Sequence, residues 1–391
     1  MRILSQADTR FPIERANGIQ SMETCHALGR RGHQIVLLVR PDSQQPPRDP
    51  FVFYGLPRLA GLAVEYAPVS GPAPARRTGY VTYAVGRALG RARHDLLFTR
   101  DLGVASVLLR VPRSWRPPLV YEAHGIAADT AAALPSLLTG AAPASPAKLQ
   151  RLARRDARVW QRAEGYVTIT DALQRELRRR YGDRRLAEIV PDGTRPPAPF
   201  TPPEAGPFTI GYAGHLYPWK GVDLVIEAVA ALVESRGLII GGHAQEPDLE
   251  RIQALARQLD CASRVTFTGL LPPADVAREL RRAHVLALPN PPSAISTMFT
   301  SPLKLFEYMA AGRPIVASDL PAIREILVDE ENALLVQPGN PRAFTAAIRR
   351  LMNDPPLGGR LAARALQDVQ RYTWDARAGR LEALLDGVVR A

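Results

Sequence analysis

Residues 300–318 read Thr300-Ser-Pro-Leu-Lys-Leu-Phe-Glu-Tyr-Met-Ala-Ala-Gly-Arg-Pro-Ile-Val-Ala-Ser318, and their order defines one unit of the fold. Ser301 suits a helix N-cap, and Pro302 suits the first helical position, where its missing N–H is no loss. The residues from Leu303 to Ala311 contain no breaker and are mostly good helix formers. Gly312 closes the helix and Pro314 opens the next element. Ile315 to Ser318 is a short apolar run, as expected of a buried strand.

A helix feeding a buried strand is half of a βαβ repeat, and the same rhythm extends upstream. Strands are expected at Phe208–Tyr212, at Gly237–Ile240 (running into Gly241-Gly242), at Val265–Thr268 and at Val285–Leu288. Helices are expected at Gly221–Glu234, Asp248–Leu259 and Ala274–Ala283. The N-terminal half repeats the pattern, with a strand at Met1–Ser5, a loop through Gly18, a helix at Ile19–Arg31 and a strand at Gln34–Val39. Further apolar runs stand at Leu96–Thr99, Leu119–Glu122 and Gly165–Ile169. Such alternation implies parallel sheets with helices on both faces, an α/β fold. The Ala/Pro/Ser-rich stretch at 123–150 is expected to be a mobile loop. The proline-rich run Pro191–Pro207 resists helix and interior strand alike, so it reads as a linker. The expected organisation is therefore a first lobe at 1–195, a linker at 196–207, a second lobe at 208–372 and an amphipathic terminal helix at 373–391.

With 391 residues the chain is long enough for two cores. Its 46% apolar and 23% charged residues exclude a disordered or fibrous protein. No apolar run reaches the ~18 residues of a membrane span. The first residues lack the basic-then-apolar layout of a signal peptide, so a cytoplasmic protein is expected. Cys25 and Cys261 match no metal or redox spacing and read as small buried hydrophobes. The net charge of +12 is lopsided, since residues 1–200 carry +13 and the remainder −1. The densest basic segment, Lys148 to Arg185, is either a set of solvated helix faces or a surface for anionic lipid head groups or a phosphorylated acceptor. Nucleic acid is disfavoured because the segment lacks interleaved aromatics. Of the 50 basic residues only Lys148, Lys220 and Lys304 are lysine. In so arginine-rich a chain, a retained lysine marks a place where a compact ammonium is wanted.

Open parallel sheets bind ligands at the carboxyl ends of their strands, where helix N-termini offer free N–H groups. Gly211-Tyr-Ala-Gly214-His215-Leu-Tyr-Pro-Trp-Lys220-Gly221 ends a strand and precedes a helix. Its Lys220 can neutralise a diphosphate that gains charge as a leaving group. In the 300–314 segment, the N–H groups of Leu303 and Lys304 suit a phosphate. Glu307, one turn after Leu303, can accept hydrogen bonds from both hydroxyls of a ribose. Gly242 lets backbone approach a ligand.

These residues resemble the family 4 retaining glycosyltransferases, also called glycosyl transferases group 1, which have the GT-B fold. The resemblance spans nearly the whole chain: Asn17-Gly18, Gly32-His33, Tyr121-Glu-Ala-His124-Gly125, Val167 to Leu173, Val190-Pro-Asp192-Gly193, Gly214 to Gly221, Ser301 to Pro314, and the helix after Trp374. It implies two Rossmann-like lobes whose parallel sheets face each other across a cleft, with the C-terminal helix crossing back to the first lobe. It further implies a nucleotide diphosphate sugar as donor, no cofactor and no metal. Lys220 would hold the diphosphate and Glu307 the ribose, with Gly214, His215, Gly242, Ser301, Pro302, Leu303 and Lys304 around the donor. Gly18 would admit the phosphates to the first lobe, and His124 would contact the transferred sugar, so His124, Lys220 and Glu307 form the expected catalytic set. Two departures stand out. The family usually has arginine at the place of His215, and a glutamate eight positions before Glu307, where this chain has Phe299. The acceptor expected is a lipid-linked molecule, a growing cell-surface glycan or a small molecule, met at the inner face of an anionic membrane through the basic first lobe. A nucleotide-sugar epimerase on the same frame, or an inactive sugar-nucleotide-binding partner subunit, are the alternatives.

Overall fold

The computed structural model describes residues 1–391 except 91–93, 138–141, 198, 203–204, 244–245, 294–296 and 298–301; at 136–137 and 247 the backbone alone is described. The contacts divide the chain into two compact units. The first comprises Met1–Pro135, Gly140–Asp192 and Trp374–Ala391, and the second Ser136–Thr139 and Gly193–Thr373.

The first unit is built on a seven-stranded sheet. Its strands are β1 (Arg2–Arg10), β2 (Gln34–Arg40), β3 (Leu62–Tyr66), β4 (Leu96–Thr99), β5 (Leu119–Ala123), β6 (Gly165–Thr168) and β7 (Ala187–Ile189). The order is β3-β2-β1-β4-β5-β6-β7, and every pairing is parallel. The final helix, Trp374–Arg390, packs in this unit and buries Trp374, Arg377, Leu381, Leu385 and Val388. It lies so close to β6 that a Cβ on Gly165 would stand 2.7 Å from Val388.

The second unit has six strands, β8 (Phe208–Ala213), β9 (Ser235–Ile240), β10 (Val265–Phe267), β11 (Val285–Leu288), β12 (Ile315–Ser318) and β13 (Leu334–Val336). Their order is β10-β9-β8-β11-β12-β13, again wholly parallel. Alternate residues along these strands feed two separate cores. Ile210, Tyr212, Val285, Ala287 and Val316 face one, while Ala213, Leu286, Leu288, Ile315 and Ala317 face the other. A sheet buried on both faces explains why its strands read as continuous apolar runs rather than alternating ones.

The structure revises the reading of residues 123–150. Ala127–Leu137 is a helix, and a second helix begins at Pro146. Alanine gives the first of these its propensity, and the buried carboxylate of Asp156 accepts the N–H of Ala127 at 3.1 Å to cap it. The 300–314 helix starts one residue later than expected, at Leu303, with Pro302 at the N-cap. Ser301 and Phe299 lie outside the described residues. The linker leans on the second unit, where the guanidinium of buried Arg313 donates to the Thr201 carbonyl at 2.8 Å and lies over the Phe200 ring.

Candidate functional site

Each sheet reverses its winding once, between β1 and β4 in the first unit and between β8 and β11 in the second. Loops leaving the two central strands part there and open a crevice at their carboxyl ends. In the second unit the loop after β8 carries Gly214, His215 and Lys220. It ends in a one-turn 3-10 helix, Pro218–Lys220, and then Gly221 caps the helix Val222–Ala231. Gly221 has φ +70°, and a Cβ there would sit 2.0 Å from the Pro289 carbonyl oxygen of the loop after β11. Only glycine allows these two loops to touch at the reversal point. Lys220 is half-buried beside them, and burial pushes its ammonium below the ordinary lysine range.

The helix Leu303–Ala310 brings the second motif to the same place. The Tyr308 hydroxyl accepts the Ala213 N–H at the end of β8, 2.7 Å away. Lys304 is 8% exposed, and its Nζ lies 4.1 Å from the centre of the Tyr212 ring. That Nζ is buried without a hydrogen-bond partner among the described residues. Burial pushes the Lys304 ammonium well below the ordinary lysine range, nearby Lys220 adds to the shift, and Glu307 opposes it. Glu307 is half-buried one turn along the helix from Leu303, whose side chain and that of Lys304 are buried, while Pro302 is partly exposed.

His215 is committed elsewhere. Its Nδ1 pairs with Glu246, whose other oxygen accepts the Leu216 N–H at 2.9 Å. Burial favours a protonated Glu246, but His215 and the backbone donor outweigh it and hold the carboxyl below its ordinary range. The His215 Nε2 is buried without a partner. The Gly214 N–H donates to the Ile240 carbonyl at 2.8 Å, joining the ends of β8 and β9. The space beside Gly242 is taken by Leu216, 2.8 Å from where a Cβ would stand.

In the first unit, His124 follows directly after β5. Its Nε2 meets Glu122 Oε1 at 2.5 Å, and Arg377 Nη2 of the final helix donates to Glu122 Oε2 at 2.7 Å. The Gln20 amide donates to the same Oε1 as His124, and Arg100 Nη1 donates to the Gln20 carbonyl oxygen at 2.7 Å. Burial alone would raise the Glu122 carboxyl, but Arg377, His124 and Arg100 together hold it far below its ordinary range. Neighbouring Asp192 is raised instead, because burial dominates. Sequence reasoning named His124 and missed Glu122 and Arg377. A charge inside the apolar run Leu-Val-Tyr-Glu-Ala was the available signal, since a buried carboxylate demands a partner.

Gly18, where the sequence suggested an approach for a phosphate, is tightly packed on the side where a Cβ would stand. It is buried in the helix Ala16–Arg30, and a Cβ would meet Ile13 at 2.5 Å and the Tyr54 hydroxyl at 2.6 Å. Its N–H is already used by the Arg15 carbonyl at 2.9 Å. Tight packing of the loop after β1 explains this glycine without a ligand.

Glu122, His124 and Asp192 bring ligand-type atoms within 4.8 Å of one another, a grouping the sequence did not reveal. It fits a cation poorly. Glu122 is already saturated by Arg377, Gln20 and His124, and the Arg100 and Arg377 charges act on Asp192 as well. Among the described residues no helix is long and apolar enough to cross a membrane.

Comparison with known proteins agrees with this geometry. Residues 19–196 match the model of Glycosyltransferase Family 4, and residues 207–354 that of Glycosyl transferases group 1. A D-inositol 3-phosphate glycosyltransferase of Kineococcus radiotolerans is 28% identical over 95% of this chain and 89% of its own. Its counterpart in Xylanimonas cellulosilytica is 26% identical over 95% and 90%. In three dimensions, sucrose-phosphate synthase of Thermosynechococcus elongatus superposes with a TM-score of 0.81 at 18% identity, covering 100% of this chain and 99% of that one. Anabaena HepE in complex with UDP-glucose gives 0.72 at 18% identity, covering 99% and 100%. The two family models divide between the two halves of the chain, and the chain belongs to the family 4, group 1 glycosyltransferases, with the GT-B fold.

Proposed function

We propose that this glycosyltransferase is a retaining, metal-independent enzyme that takes its sugar from a nucleotide diphosphate donor. The observation that carries the reading is the pairing of Lys220 and Lys304 at the reversal point of the second sheet, one with a buried ammonium lacking a partner. Two of the chain's three lysines act on one another there, and among the described residues Glu307 is the carboxylate that opposes the shift of Lys304, an arrangement an anionic diphosphate completes. On this reading the two ammonium groups stabilise the charge that grows on the leaving diphosphate. Glu307 accepts the ribose hydroxyls, the backbone at Pro302, Leu303 and Lys304 flanks the phosphates, and Gly214 and Gly242 keep the loop close-packed. His215, bound to Glu246, supports that loop. His124 contacts the transferred sugar near its reactive carbon. The acceptor oxygen attacks that carbon from the face the diphosphate leaves, and its proton passes to the departing phosphate oxygen, so the configuration is retained. No metal or cofactor enters this scheme.

The acceptor proposed is phosphorylated or lipid-linked, as in the assembly of a cell-surface glycan. Arginines 151, 154, 162, 175 and 178 are exposed on the helices Pro146–Arg162 and Asp171–Tyr181, and they can meet an anionic membrane at its inner face. The relatives named for D-inositol 3-phosphate favour a soluble phosphorylated acceptor as a second reading. The test is release of nucleotide diphosphate from a panel of nucleotide sugars without acceptor, for wild type and Glu307→Ala. Slow release from one donor, lost in the variant, supports the reading. No release from any donor, with no thermal stabilisation by any nucleotide diphosphate, refutes it.

A further inference from the structure

We propose that Glu122 and Arg377 are positioning residues for His124. Arg377, supplied by the final helix, holds one oxygen of the Glu122 carboxylate; the other oxygen holds the imidazole by Nε2, leaving Nδ1 to accept a hydrogen bond from a substrate hydroxyl. The inference rests on the proposed role of His124 at the transferred sugar.

Glu122 is 1% exposed and Arg377 2% exposed, so neither charge is solvated. A buried carboxylate is costly unless its oxygens are met. Both carboxylate oxygens are occupied: Oε2 by Arg377, and Oε1 by Gln20 and His124. Gln20 is fixed in turn by Arg100. An ionised carboxylate only accepts, so the hydrogen in its contact with His124 belongs to the imidazole Nε2. With Nε2 carrying a hydrogen, Nδ1 is the ring atom that holds the lone pair in the neutral tautomer. The charged and titratable groups around the ring are Glu122, Asp192, Arg100 and Arg377. Arg377 Nε and Nη1 have no partner among the described residues, so its one hydrogen bond there is the one to Glu122.

The test follows from the donor count. In Glu122→Gln, Arg377 can still only donate, so the glutamine must turn its oxygen to Arg377 and its NH2 to His124, where that NH2 also displaces the Gln20 donor. The imidazole Nε2 then has to accept, and its proton moves to Nδ1. With histidine selectively labelled with nitrogen-15, the ring shifts of His124 should report an Nε2–H tautomer in wild type and an Nδ1–H tautomer in the variant. In the same preparations, kcat for the donor chosen by wild type should fall about 10- to 100-fold, the cost of one mismatched hydrogen bond. The Kd for UDP, held by the other unit, should stay within about threefold. Arg377→Lys, which keeps a cation, should retain more kcat than Arg377→Met and covers the case of a Glu122 variant that does not fold. Unchanged imidazole shifts in Glu122→Gln, or changed shifts with wild-type kcat, overturn the inference. A wild type that releases no diphosphate from any donor defeats the functional reading instead, while the shifts still decide whether Glu122 fixes the ring.

Discussion

Replacing Lys304 with methionine should make the protein more stable and a worse binder of nucleotide. Methionine keeps the length and flexibility of the lysine stem and removes the ammonium. In the free protein that ammonium is buried and without a hydrogen-bond partner. Leaving such a group unmet costs about 1–3 kcal/mol, and its position over the Tyr212 ring at 4.1 Å returns part of this, about 0.5–1 kcal/mol. A net gain of about 1 kcal/mol should raise the melting temperature of a unit this size by about 2–4 °C. The pH dependence has a definite sign. The folded-state pKa of Lys304 is depressed below 10.5, so between the two values the unfolded chain binds more protons. The penalty is therefore absent above about pH 10.5 and grows as pH falls toward the folded pKa, so the advantage of the variant should widen in that direction. Binding moves the other way. Loss of one charge-assisted contact to a diphosphate costs about 1.5–3 kcal/mol, or about 10- to 150-fold in the Kd for UDP. Thermal melts at several pH values, with and without UDP, measure both effects. A less stable Lys304→Met, or one that binds UDP as tightly as wild type, would refute the idea that this lysine is held unpaired for an anion.

Three further outcomes are expected. Glu307→Gln keeps one acceptor oxygen but loses the charge, so the UDP affinity should fall less than in Glu307→Ala, by about tenfold at most; isothermal titration of both variants checks the order. Gly221→Ala forces a Cβ to within 2.0 Å of the Pro289 carbonyl at φ +70°, and should destabilise the second unit by about 2–4 kcal/mol as read by denaturant unfolding. Burial raises the Asp156 carboxyl to about 7 against the pull of the Ala128 and Ala127 N–H groups. The folded protein thus holds that proton more tightly than the unfolded chain does, and wild-type stability should decline as pH rises from the ordinary carboxyl range through about 7. Asp156→Asn and Asp156→Ala should both flatten that decline in pH-resolved melts, and Asp156→Ala should lie about 1 kcal/mol below Asp156→Asn at every pH, the cost of the lost helix cap.

The central strands were legible because burial on both faces writes itself as unbroken apolar runs: Val285–Leu288 and Ile315–Ser318 fall where the sequence put them. The outer strands β3, β7 and β13 carry partly exposed residues, such as Glu65 and Glu188, and no periodic signal set them apart. The 127–137 helix was hidden because its cap, Asp156, comes from a later helix, and such a partner cannot be read from local order. The same limit applies to the site. Lys220, Lys304 and Glu307 lie in local motifs and could be named, whereas the link between Glu122 and Arg377 joins residues at |i−j| = 255. At Gly18, close approach of a ligand and close approach of Ile13 select the same residue.

The two sheets share one winding, yet their reversal points treat charge in opposite ways. In the first unit the charges close on one another: Arg40 and Arg77 on Asp8, Arg77 also on Asp101, and Arg377 on Glu122. In the second, burial depresses Lys304, nearby Lys220 adds to the shift, and Glu307 opposes it without removing it. The surplus of positive charge in the N-terminal half therefore does not by itself mark its reversal point as the anion site, because Arg40, Arg77 and Arg377 are engaged by carboxylates and Arg100 donates to the Gln20 side chain. The unneutralised pair is in the half whose net charge is nearly zero. A diphosphate would gain more from that pair than from a larger count of arginines that already have partners, since a cation engaged by a carboxylate must first give it up. What the first unit offers at its reversal point is a carboxylate held by Arg377 and Gln20 and ending in one imidazole, and such a network suits the orientation of neutral hydroxyl groups better than the capture of an anion.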